Sequence, residues 1–327
     1  MAVLKRYITL SALAASLAGC YTDFNPGNPD AEVLCLNSMI VAGQGVEVQL
    51  THTWLYSDPQ ADISVTDCSV SVSVNGHPVD IDAYVPAPGD EVYVGADSRR
   101  YGRAEARVTV PAAPDVRLTS LDITSSANVW HDGFDPDAPI TEVGARINVD
   151  AVITVRDTPG HDDYYELTTE CRAPEGVDIW GGLLDYDAEP VFSEHISALE
   201  SVFGSDAYGF SVFTDRRFSG TSYQLHVRLN DIHFIWFDNF SDMSQYDGTL
   251  TLTVSSISKS LYDWFLYDWT ASDGMLGMLG DIGFAETLVG CSNVSSGAGV
   301  VSARADAVIE IDLKPYITEA LNEAEKE

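Results

Sequence analysis

The chain of 327 residues carries 50 acidic residues against 17 basic ones, which gives a formal net charge of −33 at pH 7. This charge repels the phosphate backbone, so the composition excludes a nucleic-acid-binding protein. The apolar fraction of 45% and the aromatic fraction of 10% exclude a largely disordered chain, and the length suggests two folded domains.

The first twenty residues have the layout of an export leader. Lys5 and Arg6 form a basic start, and the stretch from Tyr7 to Ala18 is apolar or small. This arrangement is typical of a secretory signal peptide, and the apolar stretch is shorter than the roughly 20 residues that a membrane-spanning helix needs. Residues 1–19 are therefore predicted to be removed during export.

The end of the leader, Leu17-Ala18-Gly19-Cys20, resembles the lipobox of bacterial lipoproteins. The resemblance implies that Cys20 becomes the new N-terminus and carries a covalent diacylglycerol and a fatty acid such as palmitate, with no other cofactor. Two or more acyl chains give a lasting membrane attachment, whereas a single chain gives a reversible one. The alternative is an ordinary secreted protein with a coincidental cysteine.

Residues 20–31 are predicted to form an acylated N-terminus and a flexible tether. The segment from Tyr21 to Ala31 is rich in Asn, Pro and Gly and has no hydrophobic period. No later segment contains 18 consecutive apolar residues, so the lipid is the predicted membrane contact.

Residues 32–114 are predicted to form an antiparallel β-sandwich of immunoglobulin-like or transthyretin-like type. Short alternating runs are separated by turn residues, and Asn75-Gly76 predicts a tight hairpin because both residues adopt a positive φ readily. The predicted strands are Val33–Val41, Val46–Trp54, Cys68–Val74, Glu91–Val94 and Ala104–Val110.

Pro111 and Pro114 mark the predicted domain boundary, since proline removes a hydrogen-bond donor from a strand. Residues 115–327 are predicted to form a second β-rich domain, so that the whole chain is mainly all-β. Two segments favour helices: Ser258–Thr270, with Ser258 or Ser260 as N-cap, and a short, frayed terminal helix at Ile317–Glu327. The predicted strands of this domain are Val116–Thr124, Glu142–Arg156, Tyr164–Cys171, Ala207–Thr214, Ser222–Leu229 and Thr249–Ser256.

The chain has five cysteines, and acylation of Cys20 leaves four of them. An exported compartment lets disulfides persist, and four cysteines permit three pairings. We expect Cys35 to pair with Cys68 and Cys171 to pair with Cys291, because each pair then lies within one predicted domain. Four free thiols are the alternative, and the absence of a Cys-x-x-Cys sequence disfavours a metal site.

Eight segments follow one another along the chain: Gly45–Leu50, Val65–Gly76, Pro88–Val92, Tyr101, Ala104–Pro111, Ser258–Trp269, Phe284–Glu286 and Cys291–Val300. In this order they resemble the Bacteroidota outer-membrane lipoproteins of domain-of-unknown-function family 4249. The resemblance implies a protein without known catalytic residues, often found beside TonB-dependent transporters. Surface-exported lipoproteins of that phylum often carry an acidic run after the acylated cysteine, whereas this chain has only Asp23 there. The outer and periplasmic faces of the membrane both remain open.

No catalytic residue can be nominated, since Gly-x-Ser-x-Gly, His-Glu-x-x-His and P-loop sequences are absent. Asp132, Asp135 and Asp137 lie in a turn-rich loop and are calcium candidates, because Ca²⁺ takes oxygen ligands. His161 and its neighbouring carboxylates in Asp157–Tyr165 are a second metal candidate. For both segments a solvated acidic loop is the default interpretation.

Aromatic side chains are concentrated at His233–Phe237 and Tyr262–Trp269. Exposed rings at these positions would stack on sugars or dock a partner protein, whereas buried rings would belong to the core. We predict burial, because a β-rich domain covered by a helix needs large apolar groups.

The sequence thus predicts a noncatalytic, membrane-tethered binding or accessory protein of the outer membrane, acting with a TonB-dependent transporter or an extracellular ligand. One alternative is a glycan-active hydrolase that uses a pair of carboxylates. The other is a surface adhesion or structural module with a broad exposed aromatic patch.

Overall fold

The computed structural model describes residues 32–54, 62–131, 140–194, 211–236, 247–272 and 290–324. Strands dominate these ranges, so the predicted mainly β fold is confirmed. The strands of the first part of the chain are β1 (Leu34–Val41), β2 (Gln49–His52), β3 (Cys68–Val74), β4 (His77–Val79), β5 (Glu91–Ser98) and β6 (Gly102–Thr109).

The remaining elements begin at residue 115. The strands are β7 (Asp115–His131), β8 (Ile140–Arg156), β9 (Tyr164–Arg172), β10 (Val177–Trp180), β11 (Leu183–Leu184), β12 (Val212–Thr214), β13 (Ser222–Trp236), β14 (Thr249–Ile257) and β15 (Val301–Asp312). The α-helices are α1 (Lys259–Ser272) and α2 (Lys314–Ala324).

The described strands form three sheets. A six-stranded sheet has the order β12-β9-β14-β15-β1-β2, a five-stranded sheet contains β10-β13-β8-β7 with β11 paired to β13, and a four-stranded sheet has the order β4-β3-β5-β6. The pairing of β1 with β15 is parallel, and the other pairings between these strands are antiparallel. Strands from opposite ends of the chain therefore lie side by side.

The two largest hydrophobic cores among the described residues lie on the six-stranded sheet. The larger core joins side chains of β9 and β14 to those of β8, β13 and α2. The smaller core joins side chains of β1 to those of β3, β5 and β6, and it includes Val294, Val301 and Ala303 from the C-terminal part. The six-stranded sheet thus packs against the five-stranded sheet at one end and against the four-stranded sheet at the other.

Local sequence explains several of these elements. The β3–β4 hairpin turns at Asn75 and Gly76, whose φ angles of 51° and 81° confirm the predicted tight turn. In β8 the alternate residues from Ile147 to Val155 are fully buried, as period-2 patterning predicts. Between Leu229 and Ile232, strand β13 contains one residue more than the paired segment of β8. This β-bulge bends β13.

The helices differ in how well they were predicted. Helix α1 begins after Ser258, whose Oγ accepts a hydrogen bond from the Leu261 backbone N–H at 3.4 Å, so the predicted helix and N-cap are confirmed. The predicted terminal helix is present as α2, but it begins earlier than predicted, at Lys314, and it is packed and not frayed where Ile317 and Leu321 are buried in the larger core. No helix in the described ranges is long and apolar enough to cross a membrane.

The predicted division at residue 114 coincides with a change of sheet, since β6 belongs to the four-stranded sheet and β7 to the five-stranded one. The segment 32–114 does not complete the second layer of its sandwich by itself, however, because β1 and β2 belong to the six-stranded sheet. Strand β1 pairs with β15 of the C-terminal part, and the isolated bridge between Glu105 and Ser295 adds a further link to that part. The domain division remains a prediction.

Candidate functional site

An open groove lies between β1 and α1 on the outer face of the six-stranded sheet. Met39 points into it because side chains alternate along a strand and the neighbouring Ile40 is buried in the smaller core, and 47% of Met39 is exposed. Trp264 of α1 forms the opposite wall and is 37% exposed. The groove has a volume of about 500 Å³ and is lined by Asn37, Ser38, Met39, Glu47, Gln49, Leu261, Trp264, Val300 and Ser302.

Two serines at the start of α1 fix this wall to the sheet. The Ser260 hydroxyl donates to the Val301 carbonyl oxygen at 2.9 Å. The Ser258 Oγ accepts a hydrogen bond from the Ala303 backbone N–H at 3.0 Å, and the Ser258 N–H donates to the Ala303 carbonyl oxygen at 2.8 Å. Because both serines are hydrogen-bonded to β15, the first turn of the helix cannot move away from the groove floor without breaking these hydrogen bonds.

The polar groups of the floor are tied to backbone atoms. Asn37 Oδ1 accepts from the Val300 N–H at 2.9 Å, and Ser38 Oγ donates to the Glu47 carbonyl oxygen at 2.7 Å. The described lining contains one carboxylate, that of Glu47, and no His, Cys, Lys or Arg. It therefore offers a fixed amphipathic surface, and its described side chains include neither a nucleophile–base pair nor a second carboxylate.

The predicted metal candidate at Asp157–Tyr165 is instead a carboxyl pair at the end of β8, in which Asp157 is buried and Asp163 is partly buried. Asp157 accepts from the Tyr165 hydroxyl at 2.9 Å and from the Gly220 N–H at 2.6 Å. Burial, followed by the hydrogen bond and negative charge of Asp157, raises the pKa of Asp163 to about 6. His161 is exposed beside them.

This pair fits neither a metal site nor a glycosidase. No three His, Cys, Asp or Glu side chains within the described ranges are grouped so that they could hold a metal ion. The Asp157 and Asp163 carboxyls are hydrogen-bonded to each other, whereas the two carboxyls of a glycosidase stand at least about 5 Å apart to admit the sugar. The pair is a structural contact between β8 and the segment that follows it.

The two expected disulfides are absent, because Cys35, Cys68, Cys171 and Cys291 are all free thiols. Cys171 lies opposite Leu250 at one end of β14, whereas Cys291 lies near Lys259, beyond the other end. Seven residues of strand span about 24 Å, far more than the roughly 7 Å that a disulfide bridges between Cα atoms.

The first expected pair fails because of side-chain direction. Cys68 packs against the smaller core, and Leu34 and Leu36 of β1 point into that core. Side chains alternate along a strand, so Cys35 points to the opposite face of the sheet. The sequence places both cysteines in one predicted domain, but their strands belong to different sheets.

Several predicted site residues lie outside the described residues. These are the acylation site Cys20, the calcium candidates Asp132, Asp135 and Asp137, and Phe237.

The predicted aromatic side chains differ in burial. His233, Phe234 and Trp236 are buried, as predicted, and Tyr262 is also buried, whereas Trp264 is exposed in the groove. Met39 was not singled out from the sequence, although its place at an outward position of an alternating strand is a signal that could have found it.

Comparison with known proteins gives one result. A family model described as "Domain of unknown function (DUF4249)" matches residues 21–304, which include both walls of the groove. A search of curated proteins and a search of solved structures found no match. The match covers most of the chain, and the protein therefore belongs to domain-of-unknown-function family 4249.

Proposed function

We propose that this protein is a noncatalytic Bacteroidota lipoprotein of the outer membrane that binds a partner in the β1–α1 groove. The groove carries the proposal, because it joins two exposed apolar side chains, Met39 and Trp264, to amides, hydroxyls and the carboxylate of Glu47. Such a lining suits binding of a polypeptide segment, which offers apolar side chains together with backbone donors and acceptors. The partner we propose is a TonB-dependent transporter, with an extracellular ligand as the alternative.

The N-terminal sequence supports the membrane location. The lipobox-like Leu17-Ala18-Gly19-Cys20 would place acyl chains on Cys20, and residues 21–31 separate that cysteine in sequence from Glu32, where the described structure begins. Eleven extended residues span at most about 40 Å. A groove on a tether of this length stays close enough to the membrane to contact a transporter embedded in it.

Site-specific photocrosslinking in intact membranes tests the proposal. A photoreactive amino acid at position 39 should form an adduct with a TonB-dependent transporter, identified by mass spectrometry. The Cys20→Ser variant should lose both the adduct and incorporation of labelled fatty acid, because it cannot be acylated. Val85 is exposed on a loop of the four-stranded sheet domain and is the matched control position, where no adduct is expected.

Three results would contradict the proposal. Adducts of equal yield from positions 39 and 85 would show that the groove is not the contact. A transporter adduct that persists without Cys20 would separate binding from the lipid anchor. No adduct from position 39 in acylated protein would remove the partner-binding role.

A further inference from the structure

Trp180 displays its indole ring on the outer face of the five-stranded sheet. It lies at the end of β10 opposite His233 of β13, and the two rings stack with centroids 3.8 Å apart and an interplanar angle of 3°. His233 is buried, whereas Trp180 is 53% exposed. Because the imidazole covers one face of the indole, the exposed surface of Trp180 is its other face and its edges.

The support under the indole is fixed by β7. The Asn128 side-chain amide lies 3.1 Å from His233 Nδ1 and holds the imidazole ring across the strand between them. Burial lowers the pKa of His233, so the ring is neutral at neutral pH. The indole therefore rests on a rigid, uncharged support.

The backbone that follows Trp180 admits only glycine. Gly181 and Gly182 have φ angles of 79° and 70°, and a Cβ on Gly181 would lie 1.9 Å from the Asp231 carbonyl oxygen. Asp231 itself has a φ of 58° at the bulge of β13. Strained backbone and β-bulges are concentrated next to functional side chains. Here both lie beside the exposed indole.

A polar pair lies on the same face. Arg146 is the cross-strand partner of His233, so Trp180, His233 and Arg146 follow one another across three strands on one side of the sheet. Arg146 forms an ion pair with Asp231, and both side chains are about half exposed. The guanidinium and carboxylate thus present fixed donors and acceptors next to the indole.

We propose that this indole platform, formed by Trp180, His233, Asn128, Arg146 and Asp231, binds a neutral saccharide. A sugar ring has one apolar face of C–H groups, which an indole covers, and a rim of hydroxyls, which planar amide, guanidinium and carboxylate groups can bind. The platform lies on a different sheet from the β1–α1 groove, so this inference does not rest on the proposed transporter contact.

Charge and size select this ligand class. The Arg146–Asp231 pair is neutral as a unit, and a chain of net charge −33 repels anionic ligands. One indole supplies at most about 250 Å² of contact, whereas a stable protein interface takes about 800 Å² from each partner. The described platform is therefore sized for one or two sugar rings.

Affinity electrophoresis of the full-length acylated protein tests this inference. Native gels containing starch, mannan, arabinoxylan or mixed-linkage β-glucan should retard the protein in at least one case, while anionic polygalacturonate should not. The Trp180→Ala variant should bind the retarding polymer at least about tenfold more weakly, because a central aromatic anchor is lost. Trp180→Phe should retain part of the affinity.

Trp54 is the matched control, since it is 52% exposed and lies beyond β2 on another sheet. Trp54→Ala should bind as the unaltered protein does, with circular dichroism confirming that all variants are folded. Absence of retardation by all four neutral polymers would overturn the inference. Equal binding by the Trp180→Ala variant, or equal retardation by polygalacturonate, would do so as well.

Discussion

The Asp157–Asp163 pair shows how one proton is held at the end of β8. Asp157 is buried and receives two hydrogen bonds, from the Tyr165 hydroxyl and the Gly220 N–H. Asp163 then lies beside a negative charge in a poorly solvated position, and its pKa rises to about 6. The protonated Asp163 can donate to Asp157, whereas two ionised carboxyls repel each other.

This arrangement predicts a pH-dependent stability. The pKa of Asp163 is raised from 3.8 to about 6 on folding, so its stabilising contribution is present below pH 3.8 and is lost as pH rises through 6. Asp163→Asn keeps a donor toward Asp157 and cannot ionise. The free energy of unfolding of the unaltered protein should therefore fall relative to that of this variant between pH 4 and pH 6.5, as measured by urea denaturation.

The neighbouring Asp162 is exposed and is the control for this experiment. Asp162→Asn should follow the pH profile of the unaltered protein. A constant difference in unfolding free energy between the Asp163→Asn variant and the unaltered protein, from pH 4 to pH 6.5, would show that Asp163 is not the titrating group.

Strand β15 is held in the six-stranded sheet by a charged network as well as by its backbone. Arg304 donates to Glu166 of β9 at 3.1 Å, to Asp306 at 2.8 Å and to the Ser255 hydroxyl oxygen of β14 at 2.8 Å. Glu166 is buried, and burial raises its pKa despite the nearby guanidinium. Arg304 thus joins three neighbouring strands through one side chain.

Removal of this side chain should cost much more than removal of a surface arginine. Arg304→Met leaves Glu166 buried without its partner, and the loss of unfolding free energy should be about 3 kcal/mol. Arg172→Met removes an exposed pair with Glu170 on β9 and should leave the unfolding free energy nearly unchanged, because water screens exposed charges. Chemical denaturation at neutral pH measures both.

A double variant makes the test specific. Adding Glu166→Gln to Arg304→Met removes the unpaired buried charge and should restore part of the stability. If Arg304→Met costs no more than Arg172→Met, the network does not stabilise the sheet.

The elements that sequence could predict are those with strong local patterns. The β8 alternation, the Asn75-Gly76 turn and the Ser258 cap are each specified within a few residues. Strand β15 was missed because alanine and charged residues are poor strand formers, although the alternation of Val301, Ala303 and Ala305 with polar residues follows the strand period. Packing in the centre of a sheet overrides that low propensity.

The candidate sites were less predictable, because they depend on distant contacts. Met39 and Trp264 meet in the groove although 225 positions separate them in the sequence. Trp180 is displayed only because the β13 bulge and the Gly181-Gly182 turn meet beside it. The expected disulfides failed for the same reason, since spacing along the chain does not reveal which face of a strand a cysteine occupies.

At the scale of the whole molecule, the two ends of the described chain complete one core. Leu34 and Ile40 of β1 are fully buried with Val301 and Ala303 of β15, and β1 pairs with β15 in parallel from Ser38 onward. We expect a contact across more than 260 positions to form late in folding, because its loop-closure entropy is offset only when the intervening strands are in place. The stability of the four-stranded sheet and of β1 therefore depends on β15.

This dependence predicts the behaviour of residues 32–114 when they are produced alone. Without Val294, Val301 and Ala303 their core stays open on one side, so the fragment should show no cooperative thermal transition and poorly dispersed amide resonances. Fusion of residues 290–312 through a glycine-serine linker should restore both properties, because it returns β15 to its place beside β1. A fragment 32–114 that unfolds cooperatively on its own would show that β15 is dispensable and that the division at residue 114 separates two independent domains.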